Sequence, residues 1–485
     1  MDQTGRHDNS YKSILKGVSI FGGVQIFQIL VNLVRGKFVA MFLGPEGMGV
    51  SSLFATSSVT LQRTASLGLN LAIVKEAAES RDSAERLGDV RRVASVLVNF
   101  TALLGALVCV AGASWLSRLS FGDDSYRWQF MLLGVAVWLS ISGAGKLSML
   151  QGLHEVKRLS RASIVGALAG LLGGVPLYYF FGNAGIVPAM VVLAGAMWAF
   201  YAIQLRRSVE GKAPRFSMSV HKPLVRKLLA LGMVLMASDL IGSGCNYALN
   251  VFLRGYGSLD AVGLYQAANS LTDQYTGMVF AAMSLDYFPR LSGVVNDNAE
   301  MTAVVNRQSE IIALVMTPLV VVFIALAPLV IDILLTGEFR SILELLRWMS
   351  LGVLVKAFMF PTGYISFAKN NKTLFFWLEG VLGNLMTLGL GICGYMLFGL
   401  VGMGYALIAD TLLCLAIYLT VNGRLYAYRM TGRVARVYIL GFAVASAAVA
   451  STFIESWGWS VAALAVLAAG SVAVSATRLV KVMRR

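Results

Sequence analysis

Residues 181–189 read Phe181-Gly182-Asn183-Ala184-Gly185-Ile186-Val187-Pro188-Ala189, and residues 398–406 read Phe398-Gly399-Leu400-Val401-Gly402-Met403-Gly404-Tyr405-Ala406. Both keep the frame Phe-Gly-x-x-Gly-x-x-x-Ala, 217 positions apart, and each stands between two long apolar runs. Two further landmarks return at nearly the same spacing. Glu46-x-x-Gly49 recurs as Asp260-x-x-Gly263 after 214 positions, and the basic turn at Lys157 recurs at Lys372 after 215. One short match means little in a chain rich in Gly and Ala. Three at one spacing mark an internal duplication.

The chain around these landmarks is strongly apolar. Of 485 residues, 57% belong to the apolar set AVILMFWYC and only 13% are charged, and 49 more are Gly. Mean hydropathy is +0.72. Soluble domains carry about 25% charged residues, so this chain cannot cover a water-facing surface of its size. That excludes a cytosolic enzyme, a secreted disulfide scaffold and a disordered protein. Fourteen apolar runs of about membrane length cover 17–43, 47–70, 93–117, 127–150, 159–181, 185–205, 224–253, 260–285, 303–335, 345–368, 373–398, 400–422, 434–454 and 458–477. The second, seventh and eighth are the most polar. Lipid cannot hydrogen-bond an open backbone, so the runs read as helices. The expectation is an all-α polytopic membrane protein. Residues 1–205 form an N-lobe, 206–223 a basic cytoplasmic linker, 224–423 a C-lobe, and 424–485 a helix pair with a basic tail. Six runs per lobe, starting on the same side, make the repeats parallel about an axis along the membrane normal.

The net charge of +15, from 40 Lys and Arg against 25 Asp and Glu, would suggest nucleic acid in a soluble protein. Here it is a topology signal. With the N-terminus in the cytoplasm, thirty basic residues fall on the inner side and four on the outer side, namely Arg118, Arg127, Arg254 and Arg340. That is the positive-inside bias, and it puts both termini in the cytoplasm with no nucleic acid as partner. Six basic residues remain within or beside the runs: Arg35, Lys37, Arg63, Lys146, Arg347 and Lys356. The first run, with Arg35 and Lys37 inside it, reads as an uncleaved span rather than a signal peptide.

No catalytic motif accompanies them. Cys109, Cys245, Cys393 and Cys414 lie in apolar runs without a C-x-x-C spacing, so neither a metal nor a disulfide is expected. His154-Glu155-x-x-Arg158 lacks the second His of a zincin. Gly143-Ala144-Gly145-Lys146-Leu147 lacks the upstream Gly and the following Ser or Thr of a P-loop, so no ATPase and no cofactor are expected. The outer loops are too short for a periplasmic catalytic domain.

Polar side chains inside the runs form stripes. At 100° per residue, Gln25, Gln28, Asn32 and Arg35 fall within about 80° of one another, as do Ser52, Thr56, Arg63, Ser66 and Asn70. Asp239, Ser243, Asn246 and Asn250 fall within about 60°, and so do Gln266, Asn269 and Asp273. These stripes occupy the first two runs of each repeat, as a central hydrophilic cavity would require. Amide and hydroxyl stripes also serve as interhelical hydrogen-bond contacts. A charge at mid-bilayer costs about 2.5–3.5 kcal/mol on insertion scales, an expensive way to make such a contact. Arg35, Arg63 and Lys356 are therefore the candidate ligands of an anionic substrate, since Arg grips phosphate with two parallel hydrogen bonds. The amides Gln28, Asn32, Asn246, Asn250, Gln266 and Asn269 are candidates for sugar hydroxyls. Asp239, Asp273, Glu379 and Asp410 either pair with these cations or carry a coupling H⁺ or Na⁺. Lys75 and Arg161 stand at the inner mouth, where a headgroup would enter.

Ile14-Leu15-Lys16 to Gly23, Arg35-Gly36-Lys37-Phe38-Val39-Ala40 and Leu43-Gly44-Pro45-Glu46-Gly47-Met48-Gly49 resemble the start of Wzx-type O-antigen and enterobacterial-common-antigen translocases. In the second half Val262-Gly263-Leu264-Tyr265-Gln266, Asp273, Phe288-Pro289-Arg290-Leu291, Val355-Lys356, Ala368-Lys369 and Leu378-Glu379 agree in order and spacing. These proteins belong to the MOP superfamily, with drug-exporting MATE proteins and lipid II flippases. The resemblance covers about 14–425. It implies two six-helix lobes forming a V, and alternating access. It also implies transfer of undecaprenyl-diphosphate-linked oligosaccharide from the cytoplasmic to the periplasmic leaflet of the bacterial inner membrane, with cationic cavity residues on the diphosphate. Other polysaccharide-assembly membrane proteins are its implied partners besides lipid. Many Wzx proteins have twelve spans, whereas lipid II flippases have fourteen, with the extra pair forming a groove for the lipid tail. Two other readings stay open: a MATE-like exporter of organic cations, and a membrane polymerase or glycosyltransferase. The first needs a cavity dominated by acids, and the second a sizeable extramembrane loop.

Overall fold

The computed structural model describes residues 3–81, 83–208 and 217–483. The basic linker expected at 206–223 lies partly outside them, as do Lys212, Arg215, Arg484 and Arg485. The described residues are helical almost throughout. In chain order the helices are α1 (Gln3–Ala65), α2 (Leu69–Glu79), α3 (Ala84–Ala111), α4 (Ala113–Phe121), α5 (Arg127–Gly152), α6 (Val156–Phe181), α7 (Ile186–Ser208) and α8 (Met218–Tyr256). There follow α9 (Leu259–Gly293), α10 (Asn298–Leu334), α11 (Leu343–Ala368), α12 (Lys372–Phe375), a π-helical turn at Phe376–Gly383, α13 (Asn384–Tyr426), α14 (Gly432–Ser451) and α15 (Trp457–Met483).

All fourteen expected runs fall on helical segments. The first two share α1, which bends at Gly44 (φ 65, ψ −167) ahead of Pro45. Runs eleven and twelve share the continuous helix ending in α13, which bends at Gly399. Among the described residues, eight segments are long and apolar enough to cross a membrane, and three of them, 23–65, 156–208 and 372–426, are 43, 53 and 55 residues long. A span needs about 20 residues, so each of those three can cross twice. Some runs are interrupted or end earlier as helices than as apolar stretches. The second ends at Ala65 in a turn through Leu67 (φ 49), and the third breaks at Gly112 between α3 and α4.

The duplication seen in sequence reappears as geometry. Gly182 (φ 54, ψ −135) and Gly399 (φ 62, ψ −147) adopt the same left-handed corner, which a side chain would strain. Three residues on, a Cβ on Gly185 would stand 2.0 Å from the Leu177 carbonyl, and one on Gly402 would stand 1.9 Å from the Gly394 carbonyl. Each corner thus folds its second helix back onto the residue eight positions earlier.

The chain divides into two compact units, Met1–Gly263 and Leu264–Arg485. In the first, α3, α5, α6 and α7 pack on one another and α1 lies against α6. The α8 helix belongs to this unit by contact. Lys227 Nζ lies 2.6 Å from Glu76 and 3.1 Å from Glu79 of α2, His221 Nε2 lies 3.3 Å from Asp89 of α3, and the Tyr247 and Ser120 hydroxyls are 2.7 Å apart. The repeat landmarks Gly49 and Gly263 also meet here. A Cβ on Gly49 would lie 2.0 Å from the Leu259 carbonyl, and one on Gly263 would lie 1.9 Å from the Pro45 carbonyl. Each glycine therefore receives the carbonyl four residues before the other.

The second unit is built on α10 and α11. Ile312, Val320, Leu354, Phe358, Tyr438 and Ala445 form a buried core shared with α14. The rings of Phe358 and Tyr438 stack at 4.2 Å, and the Tyr438 hydroxyl donates to the Phe358 carbonyl. Arg433 Nε bonds Glu310 Oε1 at 2.8 Å. The C-terminal pair α14 and α15 is therefore packed on α10, and α15 presents Val466, Val472 and Val474 outward. Trp115, Trp128, Tyr179 and Tyr256 of the first unit and Trp457 and Trp459 of the second are exposed aromatics at or near helix ends.

Candidate functional site

The Arg63 region is set by a close crossing of α8 over the end of α1. Gly68 follows the α1 terminus, and a Cβ there would lie 2.1 Å from the Gly232 carbonyl. From this crossing the two helices run antiparallel. Seven residues beyond Gly232, two helical turns, stands Asp239; five before Gly68 stands Arg63. Arg63 Nη1 and Asp239 Oδ1 are 3.5 Å apart. One turn further, the Thr60 hydroxyl donates to the Ser243 carbonyl at 3.2 Å. A cavity of about 320 Å³ opens beside the pair, walled by Thr56, Val59, Arg63, Gly242, Ser243 and Asn246. Arg63 also borders a second hollow of about 140 Å³ with Gln62, Ser66 and Asn70. The stripes of the second and seventh runs thus share one cavity. Asn250 is buried one turn past Asn246, and its Nδ2 donates to the Asn246 side-chain Oδ1 at 3.3 Å.

The other candidates of this unit lie elsewhere. Arg35 is half-buried on α1 in electrostatic reach of Tyr178 of α6, and it lines neither hollow. Gln28 is half-buried and Asn32 exposed on the same helix, and neither lines them. Lys75 is exposed and 3.9 Å from Glu79. Arg161 is exposed on α6.

The second unit holds a separate group. Lys356 Nζ is 4.0 Å from Asp273 Oδ1, and Asp273 Oδ2 accepts from Asn269 at 3.0 Å. Lys356 and Glu379 line a cavity of about 410 Å³ whose walls include Phe280, Phe360, Tyr364, Phe367 and Phe375. Glu379 has the Tyr418 hydroxyl as a hydrogen-bond partner. Asp410 is buried, accepts from the Thr387 hydroxyl at 2.8 Å, and feels the Lys356 charge, as Glu379 does. Gln266 is half-buried on α9. Lys356 therefore stands amid Asp273, Glu379 and Asp410, an arrangement that can hold an anion beside the cation or a proton on an acid.

Two features were not read from the sequence. The first is the π-helical turn Phe376–Gly383, which widens the helix at Glu379; Asn384 Nδ2 caps the freed carbonyls of Glu379 and Gly380, at 3.0 Å each. Such turns recur at functional sites, and only the neighbouring Gly380, Gly383 and Asn384 hint at it. The second is the aromatic wall around Lys356, which α9, α11 and α12 assemble and no local spacing announces.

Comparison with known proteins agrees with this architecture. A family described as polysaccharide biosynthesis protein matches residues 38–344. The lipid III flippase of Escherichia coli (strain K12) is 24% identical over 365 residues, 73% of this chain and 85% of that protein, and the Shigella flexneri lipid III flippase matches equally. Among solved structures, the lipid II flippase MurJ in an inward closed conformation superposes with a TM-score of 0.72 at 13% identity, covering 97% of this chain and 100% of that one. An inward-facing multidrug resistance MATE family transporter of the MOP superfamily gives 0.67 at 17%, covering 84% and 95%. The fold expected from the sequence is thereby borne out as that of the MOP superfamily.

Proposed function

The chain belongs to the polysaccharide biosynthesis protein family, and from that membership we propose that it is a transporter that flips a lipid-linked oligosaccharide across the membrane. The cargo is undecaprenyl-diphosphate-linked, an O-antigen or related surface-polysaccharide unit. It moves from the cytoplasmic to the periplasmic leaflet of the bacterial inner membrane by alternating access of two repeats. The observation that carries this reading is the cavity beside Arg63. A guanidinium with one half-open carboxylate partner faces a hollow otherwise walled by hydroxyl, amide and small apolar groups. Arg63 can grip phosphate oxygens there, while Asn246 and Ser243 meet sugar hydroxyls.

Arg35 and Lys356 serve the same anion at other points of its path. Lys75 and Arg161 capture it at the inner mouth. Asp239, Asp273, Glu379 and Asp410 are the sites for a coupling H⁺ or Na⁺. The prenyl tail stays in lipid. Carrying an uncompensated charge of −2 outward across about 100 mV, inside negative, releases about 4–5 kcal/mol. Residues 206–223 link the repeats 1–205 and 224–423, and 424–485 add the C-terminal pair, with both termini cytoplasmic.

Export of organic cations has one observation on its side, the aromatic cavity with Glu379. Lys356 in the same wall repels a cation and favours the lipid-diphosphate reading. Purified protein in proteoliposomes decides between them. Labelled undecaprenyl-diphosphate oligosaccharide is expected to become accessible to an enzyme on the opposite leaflet. Uptake of a cationic dye without movement of the glycolipid would overturn the reading.

A further inference from the structure

Along α11, Lys356, Met359, Phe360, Gly363, Tyr364 and Phe367 follow the spacing of one helical face, and all of them line the cavity of about 410 Å³. From Lys356 to Phe367 this face is about 16 Å long at 1.5 Å per residue. Phe280 of α9, Phe375 of α12 and Glu379 of the π-helical turn form the other walls. The volume lies within the roughly 300–1,000 Å³ of sites for small ligands.

The rings brace one another into a continuous wall. Phe280 and Phe360 stack at 4.6 Å, Phe360 and Tyr364 meet at 4.9 Å, and Phe367 and Phe375 meet at 5.3 Å. Phe367 keeps 49% of its surface open. The charged groups stand at two levels of this wall. Glu379, on the π-helical turn, lies across from Gly363, where a Cβ would come within 3.2 Å of its Oε1. Glycine there leaves room for the carboxylate. A carboxylate has about four acceptor positions, and the Tyr418 hydroxyl uses one of them. Two turns before Gly363, Lys356 Nζ stands 4.0 Å from Asp273 Oδ1, an ion pair longer than a hydrogen bond, with its side chain 45% open.

A sugar ring answers both sets of groups. Its hydroxyls, around the rim, can donate to a carboxylate, while its C–H faces suit the negative face of an aromatic ring. An isoprenoid chain in the same slot would strip water from Lys356 and Glu379 and return no hydrogen bond. An organic cation would meet the Lys356 ammonium. The two levels also fit a sugar that carries a phosphate. Gly363 is about 10 Å past Lys356 along the helix, so a ring held at the Glu379 level directs the phosphate joined to it toward Lys356.

We propose that this cavity seats the sugar directly joined to the diphosphate of the cargo, with its ring against Phe367 and Phe375, its hydroxyls on Glu379 and its phosphate toward Lys356. The inference rests on the glycolipid-flippase reading and adds the first sugar to what the protein selects. Its test is binding, to the full chain in detergent, of farnesyl diphosphate and of farnesyl diphosphate carrying one glucose, galactose, N-acetylglucosamine or N-acetylgalactosamine. At least one sugar is expected to tighten binding about tenfold over the bare diphosphate, the worth of one hydrogen bond to a charged group. That ratio is the readout, because loss of folded protein lowers both members alike. Glu379→Ala abolishes the gain. Phe367→Leu reduces it by about two- to tenfold, the worth of an aromatic contact beyond its area. Gly363→Ala, whose methyl presses on the carboxylate, reduces it as well. Displacement of the probe by equimolar free monosaccharide would overturn the assignment to a sugar diphosphate. A wild-type ratio in both Glu379→Ala and Phe367→Leu would overturn the site, and so would no gain from any of the four sugars while farnesyl diphosphate binds; either leaves the flippase reading standing. Failure of farnesyl diphosphate itself to bind would overturn that reading and this inference with it.

Discussion

Replacing Arg63 by alanine separates a structural role from a working one. The Arg63–Asp239 pair is 3.5 Å long, and its side chains keep 46% and 67% of their surface open. At that separation the Coulomb energy in water is about 1.2 kcal/mol. Screening and side-chain entropy reduce exposed pairs to about 0–1 kcal/mol. Arg63→Ala therefore leaves the thermal midpoint in detergent close to wild type. A guanidinium–phosphate bond is of another order. Hydrogen bonds to charged groups contribute about 1.5–3 kcal/mol, so losing one lowers translocation at limiting substrate by about ten- to hundredfold. Arg63→Lys keeps the charge without the fork and falls between. Asp239→Asn frees the guanidinium from its competitor and lowers the substrate concentration needed for half-maximal rate. The assay is leaflet accessibility of labelled glycolipid in proteoliposomes, with thermal unfolding run in parallel. Wild-type translocation by the alanine variant would remove Arg63 from the mechanism. Loss of activity only in step with loss of fold would make the residue structural.

Four further outcomes are expected. Lys356→Gln reduces translocation while Lys356→Arg retains most of it, in the same assay. Gly49→Ala and Gly263→Ala place a methyl about 1.4 Å inside the 3.4 Å of ordinary contact, so each lowers the thermal midpoint by an overpacking cost of about 1–3 kcal/mol; Gly244→Ala, with nothing within 4 Å, does not. Glu310→Gln weakens the bond that ties α14 to α10, at a cost of about 1.5–3 kcal/mol because only 9% of the Glu310 side chain is open, whereas Arg118→Ala, in an exposed pair with Asp124, leaves thermal unfolding close to wild type. In the loop before α5, the Ser125 hydroxyl and N–H hold the Asp123 carboxyl below its usual range. The folded state thus prefers the ionised form, and its contribution is complete above the unfolded pKa and fades as pH falls through the lowered one. Asp123→Asn is therefore less stable than wild type at neutral pH, and the difference closes in acid.

The class of fold was legible because it depends on composition and period. Apolar runs of membrane length leave the backbone one way to satisfy itself, and the shared frame at Gly182 and Gly399 marks two corners that prove geometrically alike. Periodicity also placed Thr56, Arg63 and Asn70 on one stripe, and Ser243 and Asn246 on another. What helical angle cannot supply is the neighbour. Arg35 shares the stripe logic of Arg63 yet faces Tyr178, because α1 bends at Gly44 between them and packs its first half on α6.

The sequence by itself determined a helical membrane protein and its duplication, since each follows from local pattern along one chain. Only the tertiary structure decided which residues share a cavity. The contacts that set this are close approaches between distant segments: Gly232 against Gly68 brings Asp239 to Arg63, and Gly145 against Val98 brings Lys146 beside Trp198 and Arg206. Glycine permits such an approach without naming the partner. The partner is fixed by how whole helices pack, and so Lys146, dismissed as a failed loop in the sequence, stands with two arginines in a cavity of its own.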